Sequence, residues 1–263
     1  MNKNRRSSRP DRLPARLQPT TLWDFPSRNY GGARRGDDAF AGATPGQVIW
    51  NLLQRYSAPG DLVIDPMAGS GTTLDVAREL GRRVLGYDIA PVRPDIFRAD
   101  ARKLPLEDGK AGFIFVDPPY STHIDYSDNP DCIGKFDAAG QGYYEAMGKA
   151  IDEMFRILAP GRYLALYISD SFAKGKGFVP IGFKVFGLLW ARFEPVDIVA
   201  VARHHRTLEM GNYRRAAEEG NFFLRGFNYL FIMRKGGLKK SGHPAGRRGK
   251  SGEKRERHEG NRG

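Results

Sequence analysis

Between residues 44 and 169 short apolar runs alternate with longer amphipathic stretches, and this alternation restricts the chain to very few folds. "TPGQVIWNLLQRYS" (44–57) places Val48, Leu52, Leu53 and Tyr56 at helical spacing, behind Thr44 as the expected N-cap and Pro45 as the first helical residue. "DLVID" (61–65) has the length and composition of a buried strand. "GTTLDVARELG" (71–81) returns to helical spacing and closes on Gly81. Further strands are expected at "RRVLGYD" (82–88), near "DIFRA" (95–99) and at "AGFIFVD" (111–117). "YYEAMGKAIDEMFRIL" (143–158) is an amphipathic helix that stops before Pro160-Gly161, and "RYLALYIS" (162–169) is a fifth strand. Strand and helix in strict alternation predict an α/β fold, a doubly wound and mostly parallel Rossmann-like sheet. After a helix near 178–191, the runs "PVDIVAVA" (195–202) and "GFNYLFIMR" (226–234) predict a C-terminal antiparallel strand pair.

The net charge of +12 is carried by the two ends. Residues 1–16 hold +5 and residues 234–263 hold +8, leaving −1 on residues 17–233. Gly-, Arg- and Lys-rich ends such as "GHPAGRRGKSGEKRERHEGNRG" lack the apolar surface to fold alone. The expected organisation is a basic disordered tail over 1–16, one catalytic domain over 17–237 and a second basic tail over 238–263. Basic ends on a neutral body fit attraction to a polyanion, nucleic acid above all, although a solubilising tail has the same composition. Cys132 is the one cysteine, so no internal disulfide forms, in keeping with a reducing compartment. Apolar runs such as "YLALYI" (163–168) are too short to cross a bilayer, and the N-terminus has no secretory apolar segment. A cytoplasmic protein with no membrane partner is expected.

A glycine-rich turn, "DPMAGSGTT" (65–73), joins the first strand to its helix. In open α/β sheets ligands bind at the carboxyl ends of strands, and Gly69 and Gly71 let a ligand approach the backbone. The dinucleotide fingerprint fails because Leu74 stands where its third glycine belongs, and the phosphate-binding loop fails because no lysine follows the second glycine. Three acids then follow in register: Asp65 ends the first strand, Asp88 ends the second, and Asp100 follows the third. An acid in the place of Asp88 accepts hydrogen bonds from ribose hydroxyls. Asp100 is placed to accept from an adenine amino group. Beyond the fourth strand comes Asp117-Pro118-Pro119-Tyr120, whose prolines turn the chain out of the sheet and stiffen the corner.

"DPMAGSGTT", "GYD", "ADARKL" and "VDPPY" together resemble the S-adenosylmethionine-dependent amino-methyltransferases that modify exocyclic amines of DNA bases, of the N6-adenine and N4-cytosine type. The resemblance is good over residues 44–170 and looser over 195–234. It implies a methyltransferase sheet with S-adenosylmethionine as cofactor, bound by Asp65, Met67, Ala68, Gly69, Ser70, Gly71, Thr72, Asp88, Asp100 and Ala101. It also implies a catalytic set of Asp117, Pro118, Pro119 and Tyr120. The Asp117 carboxylate and the Pro118 carbonyl would each accept an N–H of the target amine, and Tyr120 would offer a flat face to a base taken out of its stack. DNA is the implied partner, with adenine N6 before cytosine N4. An RNA base amine and a nucleic-acid-binding protein without activity are the competing readings.

Other signals are weaker. His204, His205 and Glu209 lack a third spaced ligand, so no metal is expected. "LWDFP" (22–26) serves either as a cover for the cofactor or as a packing strap. The polar 24-residue segment 203–226 offers Arg203, Arg206, Arg214, Arg215 and Arg225 to a nucleic-acid backbone, or is a solvated helix and loop.

Overall fold

A computed structural model describes residues 14–37, 42–120, 127–173, 177–204 and 208–236. Most of the two basic tails, His205 and Arg206 lie outside the described residues. In chain order the elements are β1 (Leu22–Trp23), α1 (Gly46–Tyr56), β2 (Leu62–Asp65), α2 (Thr72–Glu79), β3 (Arg83–Asp88), β4 (Ile96–Arg98), β5 (Ala111–Val116), α3 (Gln141–Ile157), β6 (Leu158–Ile168), β7 (Ser171–Ala173), β8 (Gly177–Val179), α4 (Ile181–Trp190), β9 (Glu194–Ala202), α5 (Gly211–Glu219) and β10 (Phe227–Arg234). Eight strands form one sheet in the order β1-β9-β10-β6-β5-β2-β3-β4, while β7 and β8 form a separate hairpin. The pairings β2–β3, β3–β4, β2–β5 and β5–β6 are parallel, as is β1–β9, and β10 runs antiparallel between β6 and β9. The doubly wound α/β fold with an antiparallel C-terminal pair is the one expected.

Alternation along the central strands builds two cores at once, because successive side chains point to opposite faces. Val63, Phe113 and Phe115 pack with Ile49, Leu52 and Leu53 of α1 and Val76 of α2 on one face. Ile64, Ile114 and Val116 pack with Met147, Ile151 and Met154 of α3 and Leu189 of α4 on the other. All six residues of β5 are buried, as befits a strand covered on both faces.

Several details depart from expectation. Thr44 caps nothing: Pro45 occupies the cap position, and α1 begins at Gly46 without a side-chain cap. Strand β6 starts at Leu158, before Pro160-Gly161, and its register with β5 slips between Ala111 and Phe113, which accommodates the proline in a bulge. The helix expected near 178–191 is shorter, because 177–179 belong to a three-residue strand. Segment 203–226 contains a helix, α5. Among the described residues no helix is long and apolar enough to cross a membrane.

The segment 22–26 is a strap at the sheet edge. Leu22 and Trp23 pair in parallel with Ala200 and Val201, and Trp23 and Phe25 are buried in the α1 core. Buried Asn51 of α1 ties down the preceding residues, accepting from the Gln18 amide at 2.7 Å and donating to the Arg16 carbonyl at 3.1 Å. Trp23→Ala is therefore expected to lower stability by about 3 kcal/mol in denaturant unfolding. Affinity for S-adenosylmethionine should be unchanged; a folded variant of normal stability that has lost that affinity would return the segment to the cofactor.

Candidate active site

The sheet order reverses at β2. The chain leaves β2 toward β3 and β4 on one side and returns to β5 on the other, with Ile64 of β2 paired to Ile114 of β5. Connections that diverge from two neighbouring parallel strands leave a crevice at their carboxyl ends. Here that crevice encloses about 940 Å³ including its mouth, within the roughly 300–1,000 Å³ usual for small-molecule sites.

One wall is the glycine turn. Gly69 and Gly71 have φ of 44° and 78°, the left-handed region that glycine enters without strain. The Gly69 amide donates to Asp88 Oδ2 at 2.9 Å, the Ala68 amide to the Tyr87 carbonyl at 2.8 Å, and the Ala90 amide to Asp88 Oδ1 at 2.9 Å. Asp88 thus anchors the turn to the end of β3, and each of its oxygens keeps a lone pair for a ligand. Asp65, Met67, Ala68, Gly69, Ser70, Thr72, Asp88, Asp100, Ala101, Asp117 and Pro119 all line the crevice. Gly71, Pro118 and Tyr120 do not line it, although they adjoin residues that do.

Asp100 is less available than its place in the sequence suggests. Burial raises its carboxyl, but the Arg102 guanidinium and backbone amide hold it below the usual carboxylate range on balance. Arg102 reaches both oxygens, with Nη2 at 2.6 Å from Oδ2 and Nε at 2.9 Å from Oδ1. A ligand amine at Asp100 would share it with this arginine.

The opposite wall centres on Asp117, at the end of β5. Thr44 Oγ1 donates to its Oδ2 at 2.5 Å, and the Tyr120 hydroxyl donates to its Oδ1 at 2.8 Å. The next carbonyl but one, that of Pro119, accepts from the hydroxyl of fully buried Tyr143 at 2.8 Å. The corner is therefore fixed by two prolines and three hydroxyls from different elements. Tyr120 acts through its hydroxyl, while its half-buried ring packs against the core. Thr44 and Tyr143 were missed as site residues; their partners lie 73 and 24 residues away, and no local signal announces them.

Both acidic walls resist ionisation. Burial pushes the Asp65 carboxyl up to about 7, against the opposing hydrogen bonds of Thr73 and the Met67 amide; the charges of Asp117 and Asp88 push it further. Burial likewise pushes Asp117 up to about 7, against the hydroxyls of Thr44 and Tyr120 and the positive charge of Arg203. Two such carboxyls facing one crevice suit a cationic occupant, whose charge compensates theirs. Among the described residues no group of His, Cys, Asp or Glu is placed to hold a metal ion, and His204 pairs with Asp24 at 2.5 Å.

Comparison with known proteins agrees with this arrangement. Residues 1–98, which include the glycine turn and Asp88, match the model of a DNA methylase family of the N6/N4 type. The chain is 33% identical over 78 residues to the Type II methyltransferase M.ScaI of Streptomyces caespitosus, covering 29% of this chain and 26% of that protein. It is 41% identical over 49 residues to the Type II methyltransferase M.MthZI of Methanothermobacter thermautotrophicus, covering 19% of this chain and 14% of that one. Over these stretches the chain is similar to DNA methylases of the N6/N4 type. It spans about a quarter or less of the length of these curated relatives. Among solved structures, the [4+2]-cyclase SpnF aligns with a TM-score of 0.50 at 14% identity, over 79% of this chain and 89% of that one, a likeness of fold alone.

The crevice suits S-adenosylmethionine, the expected cofactor. The glycine turn admits a close approach, Ile89, Ala101, Phe115 and Ile133 offer apolar contact to a purine, and Asp88, Asp65 and Asp117 offer acceptors to a diol and to cationic groups. Ionising Asp65 and Asp117 inside the fold costs stability; the cost is absent below about pH 4, where the unfolded carboxyls are protonated too, and complete above about pH 7. A bound cation relieves it by favouring the charged forms. Cofactor binding should therefore release protons near neutral pH and tighten from pH 6 to pH 8. Calorimetry in two buffers of different ionisation enthalpy reads this directly, and Asp65→Asn should reduce the proton count. Binding without proton exchange would remove the carboxyls from cofactor recognition.

Proposed function

We propose that this chain transfers a methyl group from S-adenosylmethionine to an exocyclic amine of a DNA base, adenine N6 first and cytosine N4 second, with the target base turned out of the duplex into the crevice. One observation carries the reading: the Asp117 carboxylate stands on a rigid Asp-Pro-Pro-Tyr corner and opens into the same crevice as the glycine turn.

An exocyclic amine is a weak nucleophile because its lone pair is delocalised into the ring. Asp117 accepts one N–H, and the carbonyl of Pro118, whose neighbours on both sides line the crevice, accepts the other, both from outside the ring plane. That favours a pyramidal nitrogen whose lone pair points away from the two acceptors. S-adenosylmethionine, when bound, would supply an electrophilic methyl group whose bond to sulfur breaks with the electron pair remaining on sulfur, so that the cofactor leaves as a neutral thioether. As the N–C bond forms, the nitrogen must shed a proton, and Asp117, with a carboxyl near 7, is suited to take it and pass it to water. Thr44 and Tyr120 keep the carboxylate from rotating, and Tyr143 steadies the Pro119 carbonyl beside it. No covalent enzyme intermediate is needed, because the amine itself is the nucleophile. The basic tails over 1–16 and 238–263 flank the domain at 17–237 and add sequence-independent attraction to phosphate.

Single-turnover methylation of DNA with labelled cofactor tests this. Asp117→Ala should keep the fold and cofactor binding but slow transfer by about a hundred- to thousandfold. Asp117→Asn should be comparably slow, yet more stable than the wild type at pH 8 by about 1 kcal/mol or more, because it removes the buried charge. Tyr120→Phe, which frees one oxygen of the carboxylate, should slow transfer more than it weakens DNA binding. Wild-type rates in Asp117→Ala would end the catalytic assignment.

A further inference from the structure

A second cavity, of about 530 Å³ including its mouth, has Arg203 in its wall. It is lined by Phe172, Phe222, Phe223, Leu208, Arg203 and Arg225. Phe172 and Phe222 come from segments fifty residues apart and stack face to face, with centroids 4.3 Å apart and planes 9° from parallel. At the rim, Phe223 is 83% exposed, and neighbouring Phe178 is 52% exposed. The Arg225 guanidinium lies 5.2 Å from the Phe178 ring centre and donates to the Phe223 carbonyl at 2.5 Å; its buried Nε has no acceptor among the described residues. Arg203 reaches Ser169 Oγ at 3.5 Å, at the end of the strand beside Asp117, and its charge is felt by the Asp117 carboxyl.

The chemistry of this patch is specific. A phenylalanine left in water forgoes favourable burial, so two of them beside a cavity mark a contact surface. Flat aromatic faces interleaved with guanidinium groups match a nucleic-acid strand, which offers a π-face at every base and a negative charge at every phosphate. Segment 203–226 holds five arginines against three glutamates, a positive excess on a body of net charge −1. Arg203 lines this cavity, and its charge acts on Asp117 of the crevice, so the two lie within electrostatic reach of each other.

We propose that this second cavity receives the nucleotide adjacent to the target base, which stacks on Phe223 and Phe178 while Arg225 meets its phosphate. The inference rests on the function proposed above and adds to it a recognition surface distinct from the reacting groups. It assigns the sequence context of the target to Phe172, Phe178 and residues 222–225 rather than to the crevice.

The test is fluorescence anisotropy with a labelled duplex carrying one mismatched pair, measured over a range of salt. The double variant Phe178→Ala/Phe223→Ala should bind about ten- to a hundredfold more weakly, with an unchanged salt slope, because stacking and not phosphate contact has been lost. Arg225→Ala should flatten the slope by about one unit. Phe223→Trp should retain affinity, and calorimetry should give every variant the wild-type affinity for S-adenosylmethionine, which certifies the fold. Wild-type DNA affinity in the double variant would overturn the proposal. So would a loss confined to self-association in light scattering, which would give the patch to a second copy of the chain. Failure of the wild type itself to bind any duplex would instead overturn the functional reading beneath it.

Discussion

Strands β2 and β5 lie side by side with their carboxyl ends level, and the chain leaves them in opposite directions. Everything at the site follows from that geometry. The divergence opens the crevice, the glycine turn forms where β2 gives way to α2, and the Asp-Pro-Pro-Tyr corner forms where β5 ends. Because both strands are buried on both faces, their ends cannot shift without disturbing two cores at once. The carboxyls of Asp65 and Asp117 are thereby held in a low-dielectric cleft, where each costs more to ionise than it would in water.

That placement is unfavourable for stability and useful for chemistry. A hydrophobic or amide replacement at Asp117 would relieve the fold of a buried charge. Instead the sequence surrounds it with Thr44, Tyr120 and, at longer range, Arg203, which offset part of the burial penalty and fix its direction. A carboxylate whose protonation balances near neutrality both accepts from an amine and takes up its proton. Stored electrostatic strain of this kind is expected where function outweighs stability.

Much of this was legible in the sequence. Strands β2 and β5 announce themselves as continuous apolar runs closed by an acid, since a strand buried on both faces has little choice of residue. The glycine turn and the proline corner are legible because each rests on a backbone constraint that few residues satisfy. What escaped was set by tertiary contact. Thr44 reads locally as a helix cap, and only the fold reveals that its hydroxyl belongs to Asp117. Asp100 reads as a free acceptor, yet Arg102 two residues on folds back to occupy it. The three-residue strands β7 and β8 are too short to carry a period, so the hairpin beside the second cavity left no trace in the pattern.

The central claim is that Asp117 directs a methyl group onto an exocyclic amine of a DNA base. Nucleoside mass spectrometry of duplex DNA, after incubation with the protein and isotope-labelled S-adenosylmethionine, tests it most directly. The account predicts the label on a base nitrogen, as N6-methyladenine or, second, N4-methylcytosine, and none of it in the Asp117→Ala reaction. Label on a ring carbon such as C5 of cytosine, or label confined to RNA when both polymers are offered, would contradict it.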